Sequence, residues 1–365
     1  MNILHLNSES SWRGGEQQLS YLLKGLKDNL SHNIIVMGKK DTPLEQWCES
    51  EGIHFIPASF NGSADLITAW KIKRVCKEFA IHVMHAHTSH SHAAALYSKL
   101  FLNEATLILH RRVSFPIKNN FISRFKYRSK FVSSIICISG DVRRVLTDKG
   151  VEPKKTVIIN DAVDPERFKN NTEYKESFRA RWGLPDSKII VSNTSALSSE
   201  KDYSTFINTA EQCIKDGLDA IFLIIGQGAQ KEEIAERIKE KRLEKQIFML
   251  GFVKDISDVF RNTDLLLITS KQEGLGSSIL DAFITKTPVI ATAVGGIPEL
   301  ITHLETGMLA NRGNHAQLAS HIKQVTDDSV LYDLLKTKAY SKVTEQFLCD
   351  TMVRKTDLIY QQTTS

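Results

Sequence analysis

Short, continuous apolar runs alternate with longer stretches of helical periodicity through both halves of this 365-residue chain. Strands buried on both faces read as unbroken apolar runs, and neighbouring parallel strands must be joined by a crossover, usually a helix. The pattern therefore predicts parallel α/β sheets, one in each half. Strand candidates in the first half are Ile3–Leu6, Ile34–Met37, His54–Ile56, Val83–His85, Thr106–Leu109, Ile135–Ile138 and Val157–Ile159. In the second half they are Lys188–Ser192, Ala220–Ile225, Ile247–Leu250, Asp264–Thr269, Pro288–Ala291 and Gly307–Leu309. A polar stretch between Asn160 and Pro185, containing Asp164-Pro165, interrupts the alternation. The expected division is a first domain over 1–165, a linker over 166–185, a second domain over 186–345, and a terminal helix over 346–365 that packs back on the first domain.

The length suits two domains, each able to bury a core. No apolar run approaches the ~18 residues that span a bilayer. The first residues, Met1 to Asn7, read as a strand without a basic leader, so a cytoplasmic protein is expected. Five scattered cysteines without CxxC spacing read as reduced structural thiols. The net charge is +5, but between Arg111 and Lys155 twelve basic residues face three acids. An anionic partner is expected there. Within that region Phe121 to Phe131 mixes aromatics with Arg124, Lys126, Arg128 and Lys130. It reads either as a helix lying on an anionic membrane surface, on the inner face of the cytoplasmic membrane, or as an ordinary helix with buried aromatics. No nucleic-acid motif accompanies the basicity.

The second half carries several strand–loop–helix junctions of one kind. After Asp264–Thr269 comes Gln272-Glu273-Gly274-Leu275-Gly276-Ser277, opening a helix that contains Asp281. A helix start offers unpaired N–H groups and partial positive charge to an anion, and the two acids can accept from hydroxyls beside it. After Lys188–Ser192 comes Ser195 to Lys201, with Lys201 expected at a helix start, where its charge opposes the dipole unless an anion is bound. Gly226-Gln227-Gly228 after Ala220–Ile225 either admits a ligand close to the backbone or makes a tight turn. Val294-Gly295-Gly296-Ile297-Pro298-Glu299 has ordinary helix-start residues, and only its glycine pair asks for more. Strand carboxyl ends of doubly wound sheets converge on the ligand, so these loops fit a phosphate flanked by polyols.

On these residues the chain resembles the family 4 retaining glycosyltransferases of GT-B architecture over nearly its whole length. That resemblance implies two Rossmann-like, doubly wound parallel-sheet domains facing a central cleft. Glu273 to Asp281 is similar to the family's E-x7-E element, supported by Gly295 to Glu299, by Lys201 in an L-x-x-x-K loop and by Gly226-x-Gly228. In the first half, Arg13-Gly14-Gly15-Glu16 resembles the first glycine loop, Ile138-Ser139 a strand-to-helix entry, and Asn160 to Phe168 the N-G-V-D-x-x-x-F segment. There are three departures: Asp281 stands for a glutamate, Ala196 for a phosphate-binding arginine, and Asp161-Ala162 for a glycine.

The resemblance implies roles. Glu273 would bind donor-sugar hydroxyls and Asp281 the ribose. Lys201 and the amides of Gly274, Leu275, Gly276 and Ser277 would neutralise a diphosphate, while Gly14 and Gly15 let the first domain close over it. Phe252 and Val253 would meet the nucleobase, and His110 the donor sugar or the acceptor. Arg111 or Arg112 would meet acceptor phosphate, or belong to a solvated loop. Charge developing on the leaving diphosphate is met by a lysine and backbone donors, so neither a metal nor another cofactor is expected. The donor is expected to be a UDP-sugar, with GDP- and ADP-sugars as alternatives, and the acceptor lipid-linked or a polysaccharide, as in lipopolysaccharide or a related surface glycan. An epimerase and a silent sugar-nucleotide-binding protein on the same fold are the competing readings. His85, His87, His90 and His92 invite a metal reading, but no cysteine or acid lies in the run. His85 and His87 should share a strand face, and His90 and His92 should enter a helix.

Overall fold

The computed structural model describes residues 1–28, 32–62, 64–117, 126–169 and 176–364. The chain forms two compact units, one of Met1–Ala162 with Cys349–Ser365 and one of Val163–Leu348. In the first unit the strands are β1 (Asn2–Leu6), β2 (Asn33–Gly38), β3 (His54–Pro57), β4 (Val83–Ala86), β5 (Thr106–Arg111), β6 (Val132–Cys137) and β7 (Thr156–Ile158). They make one parallel sheet in the order β3-β2-β1-β4-β5-β6-β7. Its crossover helices include α1 (Gly14–Lys27), α2 (Pro43–Ser50), α3 (Leu66–Glu78), α4 (Ser89–Ser98) and α5 (Gly140–Thr147).

The second unit repeats the plan. Strands β8 (Ile189–Thr194), β9 (Ala220–Ile225), β10 (Ile247–Gly251), β11 (Leu265–Ile268), β12 (Val289–Thr292) and β13 (Met308–Ala310) pair in parallel in the order β10-β9-β8-β11-β12-β13. Each apolar run feeds two cores because successive side chains leave on opposite faces. Along β9, Ala220, Phe222 and Ile224 join one cluster, while Ile221, Leu223 and Ile225 join the other.

Polar residues placed just before the apolar patterns fix the helix starts. Thr42 accepts from Glu45 N, Asp65 from Thr68 N, and Ser139 from Val142 N, each satisfying a helix donor that would otherwise lack a partner.

One expectation needs adjustment. Residues 166–185, read as a linker, fall inside the second unit, where Glu166–Lys169 and Phe178–Trp182 are helical. Phe178 and Leu184 are buried in that unit's core, so this stretch contributes to packing. The terminal helix Cys349–Thr364 belongs to the first unit: Met352 and Tyr360 sit in its core, beside α1. Among the described residues no helix is long and apolar enough to cross a membrane.

Candidate functional site

In both sheets the connections change direction between the first strand of the unit and the fourth. The carboxyl ends of β8 and β11 thus border the place where such a sheet opens a crevice. Two loops leave there. The loop after β8 ends in a short 3-10 turn, Ser199–Lys201, and the loop after β11 runs to the helix Ser277–Ile284. Lys201 Nζ donates to Glu273 Oε2 at 2.6 Å, and Ser270 Oγ donates to the same oxygen at 3.1 Å. The side chains of Lys201 and Glu273 are 18% and 15% exposed. The ion pair is therefore sheltered but reachable, and its two charges can be re-partnered.

Lys201 does not stand at a helix start. The helix Tyr203–Lys215 is capped by Asp202, which accepts from Thr205 N and Thr205 Oγ1. The dipole already has its acid, so the expected conflict with Lys201 does not arise. The acid that Lys201 pairs with is Glu273.

The glycines of the neighbouring loops serve backbone packing. A Cβ on Gly226 would sit 2.0 Å from Ser195 O, and one on Gly228 2.2 Å from Leu197 O. Leu197 N donates to Gln227 O, and Gln230 N to Leu197 O, at 3.0 and 3.1 Å. Of the two readings of this pair, close approach is realised, with the partner being the loop that leads to Lys201. Gly295 acts likewise on the other loop. Its φ is +54°, and a Cβ there would lie 1.8 Å from Glu273 O, while Gly296 N donates to that oxygen at 3.2 Å. The Gly295-Gly296 pair thus fixes the backbone that presents Glu273.

The helix Ser277–Ile284 starts at Gly276, which is left-handed, and no side chain caps it. Ser277 is partly exposed, Leu275 is buried, and Gly274 is half-buried. Asp281 is the fifth residue of that helix, about 6 Å along its axis at 1.5 Å per residue. Asp281 is half-buried, and desolvation raises its pKa to about 6 against the pull of Arg167. Beyond β10, Phe252 is 60% exposed, while Val253 is partly buried against the core; Gly226 N bonds to the adjacent Gly251 O at 2.8 Å. The structure brings Lys201 and Glu273 into contact, with Phe252 beside the Gly226 loop and Asp281 farther along the helix.

The corresponding edge of the first unit is built differently. Gly14 and Gly15 open α1, whose third residue, Glu16, accepts from Arg13 N at 3.1 Å and from Asn7 Nδ2 at 3.0 Å. Burial raises the pKa of Glu16. His110 lies on β5 and is only 3% exposed. Its Nδ1 is 3.3 Å from His85 Nε2, and His85 Nδ1 is 2.6 Å from the Tyr360 hydroxyl on the terminal helix. His5 Nδ1 and His87 Nε2 are 3.0 Å apart. The expected pairing of His85 with His87 on one face is present, with ring centroids 4.0 Å apart. His90 and His92 enter α4, the first exposed and the second buried.

Among the described residues, His5, His85 and His87 could offer a metal three nitrogens within 4.8 Å of one another. Hydrogen bonds already engage one nitrogen of His5 and of His87 and both nitrogens of His85, and the group holds no carboxylate or thiolate to balance a dication. It reads better as a polar core of neutral imidazoles.

Sequence reasoning missed three contacts here. Asp161 pairs with Arg112 in the protein interior, so the departure at Asp161-Ala162 has a structural role. Burial raises the pKa of Asp161, and Arg112 opposes that rise. The Gln18 side-chain amide donates from Nε2 to Ala162 O at 2.7 Å and accepts at Oε1 from Ala162 N at 2.8 Å. Arg111 is buried and donates to the Tyr127 hydroxyl at 2.8 Å, which removes the solvated-loop reading for it. Spacing alone could not link positions so far apart in the chain. Of the aromatic–basic run, residues 121–125 lie outside the described residues. Lys126 and Tyr127 are buried, and Lys126 Nζ donates to Ser89 O and Oγ at 2.8 and 2.9 Å. Burial, aided by Arg111, lowers the Lys126 pKa to about 7, so neither residue lies on a membrane-facing surface.

Comparison with known proteins completes the description. The model for Glycosyltransferase Family 4 matches residues 12–167, and that for Glycosyl transferases group 1 matches residues 174–342. N-acetyl-alpha-D-glucosaminyl L-malate synthase of Bacillus anthracis is 27% identical, over 81% of this chain and 78% of its own. UDP-Gal:alpha-D-GlcNAc-diphosphoundecaprenol alpha-1,3-galactosyltransferase of Escherichia coli is 22% identical, over 94% and 92%. Anabaena HepE, crystallised with UDP and glucose, superposes with a TM-score of 0.86 at 21% identity, covering 99% of this chain and 100% of that one. The structural likeness supports the two-domain GT-B fold.

Proposed function

Since the chain belongs to the family 4, group 1 glycosyltransferases, we propose that it moves a sugar from a nucleotide diphosphate sugar to a lipid-linked or saccharide acceptor, with retained anomeric configuration. The observation that carries this reading is the Lys201–Glu273 contact at 2.6 Å, made by loops from the carboxyl ends of β8 and β11. In the ligand-bound protein the diphosphate replaces Glu273 as the partner of Lys201. Glu273, still held by Ser270, then accepts from hydroxyls of the donor sugar. Breaking the anomeric C–O bond puts negative charge on the departing diphosphate. Lys201 and the amides at Gly274, Leu275, Gly276 and Ser277 stabilise that charge as it forms, without a metal. The acceptor hydroxyl attacks from the same face and gives its proton to the departing phosphate oxygen.

In this reading Asp281 receives the ribose hydroxyls and exposed Phe252, with Val253, the base. A UDP-sugar is the favoured donor, a reading supported by the UDP-bound Anabaena protein. The Escherichia coli relative, named for a diphosphoundecaprenol-linked acceptor, favours assembly of lipopolysaccharide or a related surface glycan at the inner membrane face.

A panel of UDP-, GDP- and ADP-sugars, read by nucleoside diphosphate release with and without acceptor, tests this reading. Release with one donor, lowered by about a hundredfold or more in Lys201→Ala, is expected. A changed donor without release would mark an epimerase, and tight donor binding with neither would mark a silent binding protein.

A further inference from the structure

We propose that the outward face of α3 is a docking surface for an anionic lipid bilayer. Thr68, Ala69, Ile72, Val75 and Cys76 form the buried side of this helix, against the body of the first unit. Three large apolar side chains stand in solvent on its first turns: Ile67 is 83% exposed, Leu66 53% and Trp70 49%. The short turn Lys99–Phe101 packs on the same helix, and there Leu100 and Leu102 are 56% and 87% exposed. Single exposed apolar residues are common, but adjacent ones on a helix whose other face already fills the core call for a partner.

The charges select the partner. Helical spacing continues the exposed stripe from Leu66 and Trp70 to Arg74 and Lys77, with Lys73 half-buried beside them and Glu78 the only acid in the helix. The carboxylate of Asp65, at the helix start, is taken up by Thr68 N, Thr68 Oγ1 and Asn61 N. Arg74 lies over the Trp70 ring at 5.0 Å, so cation and aromatic share one level. An apolar tip followed by an aromatic and a row of cations matches the layering of a bilayer surface: acyl chains, interface, anionic headgroups. A second copy of this chain would set the three cations against themselves. The proposal extends the acceptor reading above, but vesicle binding is measured without donor or acceptor, so either can fail alone.

The test is flotation of the full chain with vesicles of phosphatidylcholine alone and of phosphatidylcholine mixed with phosphatidylglycerol. Binding to the mixed vesicles only, weakened by salt, is expected. Leu66→Glu with Ile67→Glu should lower the vesicle affinity about tenfold or more, and Arg74→Glu with Lys77→Glu about tenfold, since each cation near an anionic surface contributes a few-fold. All four positions are exposed, so the melting temperature should stay at the wild-type value. The blue shift of tryptophan emission on binding should vanish in Trp70→Phe. Wild-type binding by both double variants, equal binding to neutral vesicles, no vesicle binding at all, or self-association lost in Ile67→Glu would each overturn the proposal.

Discussion

Lowering the pH from neutral to about 5.5 should remove much of the stability of the first unit and leave the second largely in place. Five buried histidines, His5, His85, His87, His92 and His110, belong to that unit. Burial lowers the pKa of His5 to about 3, with a further push from His32. Burial also holds the other four well below the ordinary range, helped by their histidine neighbours and by Arg112, Arg111 or Lys126. A native histidine that stays neutral takes up no proton where the unfolded one, near 6.5, does. Its stabilising effect is thus fully present above about pH 6.5 and is lost as pH falls from there towards the native value. The loss per histidine is about 1.4 kcal/mol at about pH 5.5 and grows by about as much per further unit. Five acting independently would remove about 7 kcal/mol, comparable to the whole stability of a domain at about 5–15 kcal/mol. Glu16 and Asp161, whose pKa values are raised, take up protons earlier in the native state and offset part of the slope.

Urea unfolding at a series of pH values, followed by tryptophan emission, measures this slope. Trp12, Trp47 and Trp70 report on the first unit, and Trp182 on the second. His5→Gln should make the slope shallower by about one proton. A first-unit midpoint that does not move between neutral pH and about pH 5.5, or that moves equally in the second unit, would refute the reasoning.

Three other outcomes follow from single contacts. Gly295→Ala should cost about 2–4 kcal/mol and lower turnover with it, since its Cβ would lie 1.8 Å from Glu273 O; chemical denaturation with parallel kinetics checks it. Glu273→Gln keeps the shape but removes the charge facing Lys201, so donor turnover should fall at least tenfold while the fold survives, read by steady-state kinetics and circular dichroism. Arg112→Met should destabilise the first unit by about 3 kcal/mol through the buried Asp161 charge it leaves, read by thermal unfolding.

All thirteen strands among the described residues were legible, because strands buried on both faces write themselves as unbroken apolar runs. The order β3-β2-β1-β4 was not, since spatial neighbours leave no mark in a single sequence. The same limit explains the site. Glu273, Lys201 and the glycines were visible as loop residues of suggestive type, but not that Gly226, Gly228 and Gly295 brace those loops backbone to backbone. The helix-dipole argument for Lys201 failed because Asp202, one residue on, is the cap. His5 escaped notice because one polar residue inside an apolar strand has no periodicity to betray it, and its partners His87 and Tyr360 are distant in sequence.

One topology, used twice, ends in opposite electrostatics. Between β8 and β11 the loops carry an ion pair that is partly open to solvent, so an anion can exchange for Glu273. Between β1 and β4 the equivalent edge carries neutral imidazoles sealed beneath Tyr360 of the terminal helix. Charges there would lack compensation, which is why burial holds those histidines neutral. Asp281 belongs to the first kind of environment, and desolvation holds its pKa at about 6, about 2 units above the unfolded value, so at neutral pH its ionised form is disfavoured. Stability from the protonated acid is present at low pH and is lost as pH rises through about 6, so Asp281→Asn should stabilise the second unit near pH 7.5 by about 1–2 kcal/mol. The same change should weaken donor binding if this carboxylate accepts the ribose hydroxyls, a pairing of gains and losses expected of a binding residue held against its own solvation. Thermal unfolding and donor KM, measured together, decide it: an Asn variant that is less stable at that pH, or that binds donor as the wild type does, removes Asp281 from the site.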